Sequence, residues 1–424
     1  MHTFCAILGI VVLGLGLVDV FLTVLNYDES GFIATPLCAL QWRCLPSVTR
    51  RLPPRWRPVA LRQVTGLNIV LSMTIWIGLV TAGYGLFYYS QMHGPNFQYD
   101  GRGLGDSAFS AMYFSAGQLS TVGASQISPE TDTLRALSIL ETLTGVGLIT
   151  LILTFLIGVY QVVRDLRALS SNFVSAGLDI DNPVASLGPY LSRADATCLD
   201  SHLRSISESF WSYADGLRQH HLAYFFQSGR DQFSLPYVMH VLSHWLGALR
   251  WGLPTGHAVT LQPLVLQLNL QFEQFADTLR RRVDGSGGTV RGAVPVAEFL
   301  AAYHAGRPAS DPWLDCFLRL NLDMARHAGI DLSTDVVEAY ERYRQWSSFA
   351  QRAKQITTAV SWDLDYQPLM QSGAPPCLGG GRLCRIGVFL KKKCAPCDSA
   401  IAPQENSTGF RSWLRELASR RSQQ

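Results

Sequence analysis

The chain has 424 residues, 35 of them basic and 32 acidic, for a formal net charge of +3. That balance excludes bulk charge as a pointer to nucleic acid, and no nucleic-acid partner is expected. The charge is unevenly spread: no charged side chain occurs between Arg62 and Asp100, or between Glu141 and Arg164. Each gap can cross a bilayer core, which takes about 20 helical residues, so a wholly soluble chain is excluded.

A third apolar run, Phe4 to Val18, opens the chain and continues through Asp19 to Leu25. A cleaved signal peptide carries a basic leader and a small-residue cleavage site; Met-His-Thr followed by bulky residues reads instead as a retained transmembrane helix over 1–26. The loop 27–65 holds Arg43, Arg50, Arg51, Arg55, Arg57 and Arg62 against Asp28 and Glu29, which marks it as cytoplasmic and puts the N-terminus outside. A second span, 66–90, runs outward into Tyr84, Phe87, Tyr88 and Tyr89, aromatics suited to an interface. The last span, 134–163, returns inward, so everything after it is cytoplasmic.

Between these spans Asp106 is placed to cap a helix starting at Ser107, with Phe109, Met112, Tyr113 and Ala116 at helical spacing. Ending near Leu119, that helix has about 13 residues or roughly 20 Å, too short to span. It should enter the membrane and come back, and non-helical backbone survives there only when buried in protein or lining water.

Span, short helix, Ser-Thr-Val-Gly turn and span resemble the pore module of the potassium channel superfamily, in the bacterial form with two membrane helices, a pore loop and an extra N-terminal span. The resemblance covers residues 66–163. The family's filter reads Thr-Thr-Val-Gly-Tyr-Gly-Asp; the matching positions are Ser120, Thr121, Val122, Gly123, Ala124, Ser125 and Gln126. It implies a filter of backbone carbonyls from four chains that replaces the hydration shell of a permeant ion. Potassium or sodium ions in that filter are the only cofactor-like species expected.

The second half of the filter departs from the family. Gly123 keeps one position that needs a glycine backbone, whereas Ser125 loses the other, at about 1 to 3 kcal/mol of strain on the same backbone. Ala124 replaces the ring that braces the family's filter, and Gln126 removes an acidic ring at the mouth. Tyr113 and Phe114 are candidate supports. Glu141 either hydrogen-bonds behind the filter or sits at the outer interface against Arg135. Gly145 and Gly147 are either the gating hinge implied by the resemblance or points of tight packing against the pore helix. Asp19 is expected at the cytoplasmic interface, with Arg164 as the alternative partner.

Residues 164–362 read as an all-α cytosolic domain, with helices expected over 194–226, 236–252, 260–283, 311–328 and 333–362. No strand leads into a Gly-rich phosphate turn. His240 and His244 have the spacing of zinc ligands, but the position of a metalloprotease glutamate holds Val241, and no metal site is expected. The tail 363–424, with Cys377, Cys384, Cys394 and Cys397, reads as a disordered, basic segment of reduced thiols.

The expectation is therefore an all-α membrane protein with three transmembrane helices, a re-entrant pore helix (106–126 with its filter) and a cytosolic helical domain. No nucleophile, base and orienting group stand out, so an enzyme is not expected. The sequence points to the pore subunit of a homotetrameric monovalent cation channel in the plasma (inner) membrane, weakly potassium-selective or non-selective. Its partners would be itself, the lipid bilayer and permeant cations. The alternative is a non-conducting scaffold or receptor that keeps the pore-module fold and signals through its helical domain.

Overall fold

A computed structural model of the chain describes residues 2–25, 36, 57–92, 95–100, 105–124, 126–174, 183–191, 197–226, 228, 230–283, 290–305, 309, 311–331, 335–364 and 366. The basic loop up to residue 56 apart from residue 36, Ser125 and the cysteine tail lie outside the described residues. The protein is all-α apart from one two-stranded ribbon among the described residues, and three helices are long and apolar enough to cross a membrane. The described residues fall into two compact units, one drawn from Met1–Ala168 and Ser209–Ser234, the other from Leu169–Glu208 and Leu235–Gln424.

In the first unit, α1 (His2–Leu25) packs along α2 (Arg57–Gln91). Small residues let the two backbones close on each other: a methyl group at Gly9 would lie 2.7 Å from the Gly83 carbonyl oxygen. The apolar part of α2, Gly66–Gln91, matches the charge gap read from sequence.

The short helix α3 (Ala108–Leu119) is capped by Ser107, not Asp106. Ser107 has extended backbone and its Oγ accepts from the Ser110 N–H at 3.1 Å, while Asp106 accepts from the Tyr99 hydroxyl at 2.9 Å. The expected cap is displaced by one residue because Tyr99 claims the carboxylate. Strands β1 (Phe97–Tyr99) and β2 (Ile127–Pro129) pair antiparallel, with Gln98 opposite Ser128. This ribbon ties together the chain entering and leaving the α3 loop.

The apolar stripe of α3 is not the side buried within the chain. Ser110, Ala111, Phe114, Ser115 and Leu119 are buried, whereas Phe109 is 76% and Tyr113 42% exposed. Ser110, Ala111 and Ser115 let α2 run close beside α3, and of the expected stripe Phe109 and Tyr113 are left open while Met112 lies against Gly85 of α2.

The inner helix α4 runs unbroken over 43 residues, Asp132–Val174, about 65 Å at the usual rise. It passes the expected end at Val163 because no glycine or proline interrupts the residues from Val159 to Val174. The helix expected over 194–226 is shorter, α6 (Thr197–Gln219), following the single turn α5 (Gly188–Leu191). His220 leaves helical geometry (φ −119°, ψ 79°) and a 3-10 turn, His221–Phe225, packs back onto α2.

In the second unit α7 (Leu235–Trp251) is buried on almost every side, and α8 (Pro263–Arg282) and α11 (Val336–Asp363) pack against it. The Trp245 indole N–H meets the Pro183 carbonyl at 2.9 Å and Ser186 Oγ at 3.1 Å. Helix α10 (Pro312–Ala328) is capped by Asp311, whose carboxylate accepts from the N–H groups of Trp313 and Leu314. Helix α9 (Val296–Ala305) was not expected from sequence; its Phe299 is buried against Tyr340 and Tyr343.

Candidate functional site

The turn that follows α3 carries the residues singled out from sequence. Ser120 closes the helix, its N–H donating to the Ala116 carbonyl at 3.0 Å and its Oγ to the Gly117 carbonyl at 3.1 Å. Thr121 has a left-handed backbone (φ +66°) and donates its N–H to the Gln118 carbonyl at 3.0 Å. For a β-branched residue that conformation is strained. Gly123, also left-handed (φ +77°), adopts it without a Cβ clash and donates to the Gly117 carbonyl at 2.9 Å.

Between them Val122 is 83% exposed. Ala124 turns inward and is buried against Gly117, where a methyl group would stand 3.1 Å from the Ala124 Cβ and backbone nitrogen. The turn is thus held by direct contact with its own helix. Gln126 is exposed, and its carbonyl accepts the Asp100 N–H at 2.9 Å.

Behind the turn lies a buried polar cluster. Glu141, fully buried on α4, meets the Ser115 hydroxyl at 2.5 Å, and the same hydroxyl lies 3.0 Å from the Thr81 carbonyl of α2. A buried intramembrane carboxyl is costly unless it finds such partners, and these tie the outer, pore and inner helices together. Arg135 is engaged elsewhere, 3.6 Å from Glu130 and 3.4 Å from Asp132. Phe114 joins the wall, its ring centroid 4.9 Å from Tyr88 and 5.6 Å from Phe97. Tyr113, the other candidate support, is 42% exposed.

Of the two inner-helix glycines, Gly145 lies against the end of α3, where a Cβ would overlap the Leu119 carbonyl. Gly147 faces open space. Asp19, expected at the cytoplasmic interface or beside Arg164, is fully buried and accepts from the Trp76 indole N–H at 2.8 Å. In the second unit His240 and His244 have ring centroids 4.3 Å apart, and His244 Nδ1 meets the His240 carbonyl at 2.6 Å. Among the described residues no third metal-ligating side chain joins them.

Reading the sequence alone missed Ser115, Thr81, Gly117 and Trp76. Ser115 follows the expected stripe and sits 26 residues from Glu141; only its small polar character within an apolar helix was a signal.

Residues 74–162 match the family model described as "Ion channel". The chain is also 25% identical over 249 residues to YdjJ, an uncharacterized membrane protein of Bacillus subtilis (strain 168), covering 58% of this chain and 70% of that one. No solved structure matches. The family match begins within the outer helix, crosses the short helix and its Thr-Val-Gly turn and ends in the inner helix, so residues 74–162 form an ion-channel pore module, similar to that of the potassium-channel superfamily, in a chain with three helices long and apolar enough to cross a membrane.

Proposed function

We propose that the chain is the pore-forming subunit of a homotetrameric monovalent cation channel, weakly potassium-selective or non-selective. The observation that carries this reading is the turn itself: Gly123 keeps the left-handed backbone, while Ala124 occupies the place of a bracing ring and rests on Gly117. A filter held open at its ion-binding radius needs a wall behind it that resists collapse. A methyl group on a glycine supplies a short-range stop but no ring or outer carboxylate, so the inner positions Thr121, Val122 and Gly123 would hold ions while Ala124 and Gln126 would border a wider mouth.

Fourfold assembly is supported by the open apolar residues Phe109, Tyr113 and Val122 beside the turn. One pore loop per chain cannot surround an ion, and a neighbouring copy would cover this stripe. The basic loop 27–65 supports a cytoplasmic placement for that loop and for the residues after the inner helix, with the N-terminus outside. Gly145 and Gly147 are the proposed points of inner-helix adjustment.

Planar-bilayer recording of the purified protein under opposed potassium and sodium gradients tests the reading. Unitary cation currents with a reversal potential near zero are expected, and Gly123→Asp should abolish them. Silence from an assembled tetramer at both voltage signs would overturn the channel and favour the scaffold.

A further inference from the structure

His220 occupies an unusual position in the membrane unit. Immediately after α6 it leaves helical geometry, and its ring packs edge-on against Phe155 of the inner helix, with centroids 5.9 Å apart.

 The interplanar angle is 75°, a T-shaped contact. One turn along α4, Gly158 forms the floor of the notch, and a Cβ there would overlap the His220 ring. Phe155 in turn meets Trp76 of α2, centroids 5.5 Å apart, and Trp76 donates to Asp19 of α1. The His220 ring is thus the last member of a contact chain that crosses α1, α2 and α4. Its Nδ1 is buried with no hydrogen-bond partner among the described residues.

We propose that His220 is a proton-binding latch on the inner helix: the neutral ring seats in the Gly158 notch and holds α4, and the charged ring leaves it. An imidazolium has two N–H donors that must be solvated or paired, and the notch offers an aromatic edge and a glycine. Within ten residues of Gly158, α4 carries the titratable or charged Tyr160, Arg164, Asp165 and Arg167, and the segment of His220 itself carries Asp215, Arg218, His221 and Tyr224. Asp165 already accepts from Ser212 and Gln161, and Asp215 from Gln219. Helix α2 carries no charged residue from Gln63 to Gln91.

Burial holds the His220 imidazole below the usual histidine range, which fixes the sign. The seated state is fully favoured above the ordinary histidine pKa of about 6.5 and loses up to about tenfold in population ratio per pH unit below it, until the depressed pKa is reached. Acid therefore frees the inner helix. The gating consequence rests on the channel reading; the seating does not.

Hydrogen exchange of the full-length protein in lipid nanodiscs tests the latch, following peptides over 218–226 at pH 7.5 and 5.5 after correction for intrinsic rates. Wild type should lose up to about tenfold in protection at the lower pH. His220→Gln and His220→Phe should show no such step, His221→Gln should keep it, and Gly158→Ala should show the acid-like level already at pH 7.5. A flat wild-type response, or the same step in both His220 variants, would overturn the proposal. Parallel bilayer recording separates the two readings: an exchange step without current in any variant removes the channel and leaves the latch, whereas current with flat exchange removes the latch alone.

Discussion

The Trp76 indole N–H donates to Asp19 Oδ2 at 2.8 Å, joining residues 57 apart in sequence, and both side chains are fully buried. The carboxylate sits inside an apolar span because this donor meets it there. Trp76→Phe removes the donor and keeps most of the ring. The expected loss is about 1–2 kcal/mol of stability, read as a lower unfolding midpoint in detergent. Asp19→Asn in that background should recover part of it; an unchanged midpoint in Trp76→Phe would remove the bond from the account of stability.

The Ser115 hydroxyl lies between Glu141 and the Thr81 carbonyl, so Ser115→Ala strips a buried carboxyl of one partner. A cost of about 1–3 kcal/mol is expected. Glu141→Gln retains hydrogen-bonding capacity at the same place and should cost less. Thermal unfolding of the two variants in the same detergent ranks them, and the reverse order would contradict the arrangement.

A Cβ at Gly145 would overlap the Leu119 carbonyl, whereas one at Gly147 would meet nothing among the described residues. Gly145→Ala should destabilise by about 1–3 kcal/mol through overpacking, whereas Gly147→Ala should be neutral or stabilise by up to about 1 kcal/mol through helix propensity. If Gly147 is instead a required bend, its alanine variant will assemble normally yet gate abnormally, which single-channel open times will show.

On the proposed channel reading, Ala124 and Gln126 separate packing from electrostatics in the turn after α3. Ala124→Tyr forces a ring against Gly117 and should cost about 1–3 kcal/mol. Gln126 is exposed, so Gln126→Asp should leave stability unchanged while raising cation conductance at low salt, by about twofold, through a restored acidic ring. The increase should disappear near 1 M salt, where the screening length is about 3 Å. A salt-independent increase would point to altered filter geometry instead.

In the second unit burial, opposed by the His240 carbonyl and helped by the nearby Lys354 charge, pushes the His244 imidazole down to about 4. A histidine depressed in the folded state stabilises fully above its unfolded pKa of about 6.5 and loses that contribution as pH falls toward 4. The full loss is about 3 kcal/mol. Urea unfolding between pH 7 and pH 4 should therefore be steeper in pH for wild type than for His244→Gln; equal slopes would exclude His244 as the titrating group.

The spans were legible because charge gaps are a local property of sequence: the interval from Arg62 to Asp100 alone locates the outer helix. Partners across helices were not, since nothing near Asp19 names Trp76, and nothing near Glu141 names Ser115. Local capping failed by one residue at Asp106, where a tertiary partner, Tyr99, outcompeted the helix end. The break at His220 was invisible because the following Leu-Ala-Tyr-Phe-Phe continues an apolar pattern with no glycine or proline. Helix α9 escaped notice because its ten residues are too few to establish a period. At the turn after α3, the residue types showed where the family pattern ends, but the seating of Ala124 on Gly117 is a contact only three dimensions reveal.

The unbroken inner helix also has a mechanical meaning. From Gly145, wedged against the end of the pore helix, to Ala168 the same rod extends about 35 Å. With that wedge as fulcrum, a tilt of about 5° carries the far end roughly 3 Å, about the diameter of a water molecule. A stiff lever of this length turns a displacement too small to break any single contact near the pore into one wide enough to admit or expel solvent at its other end.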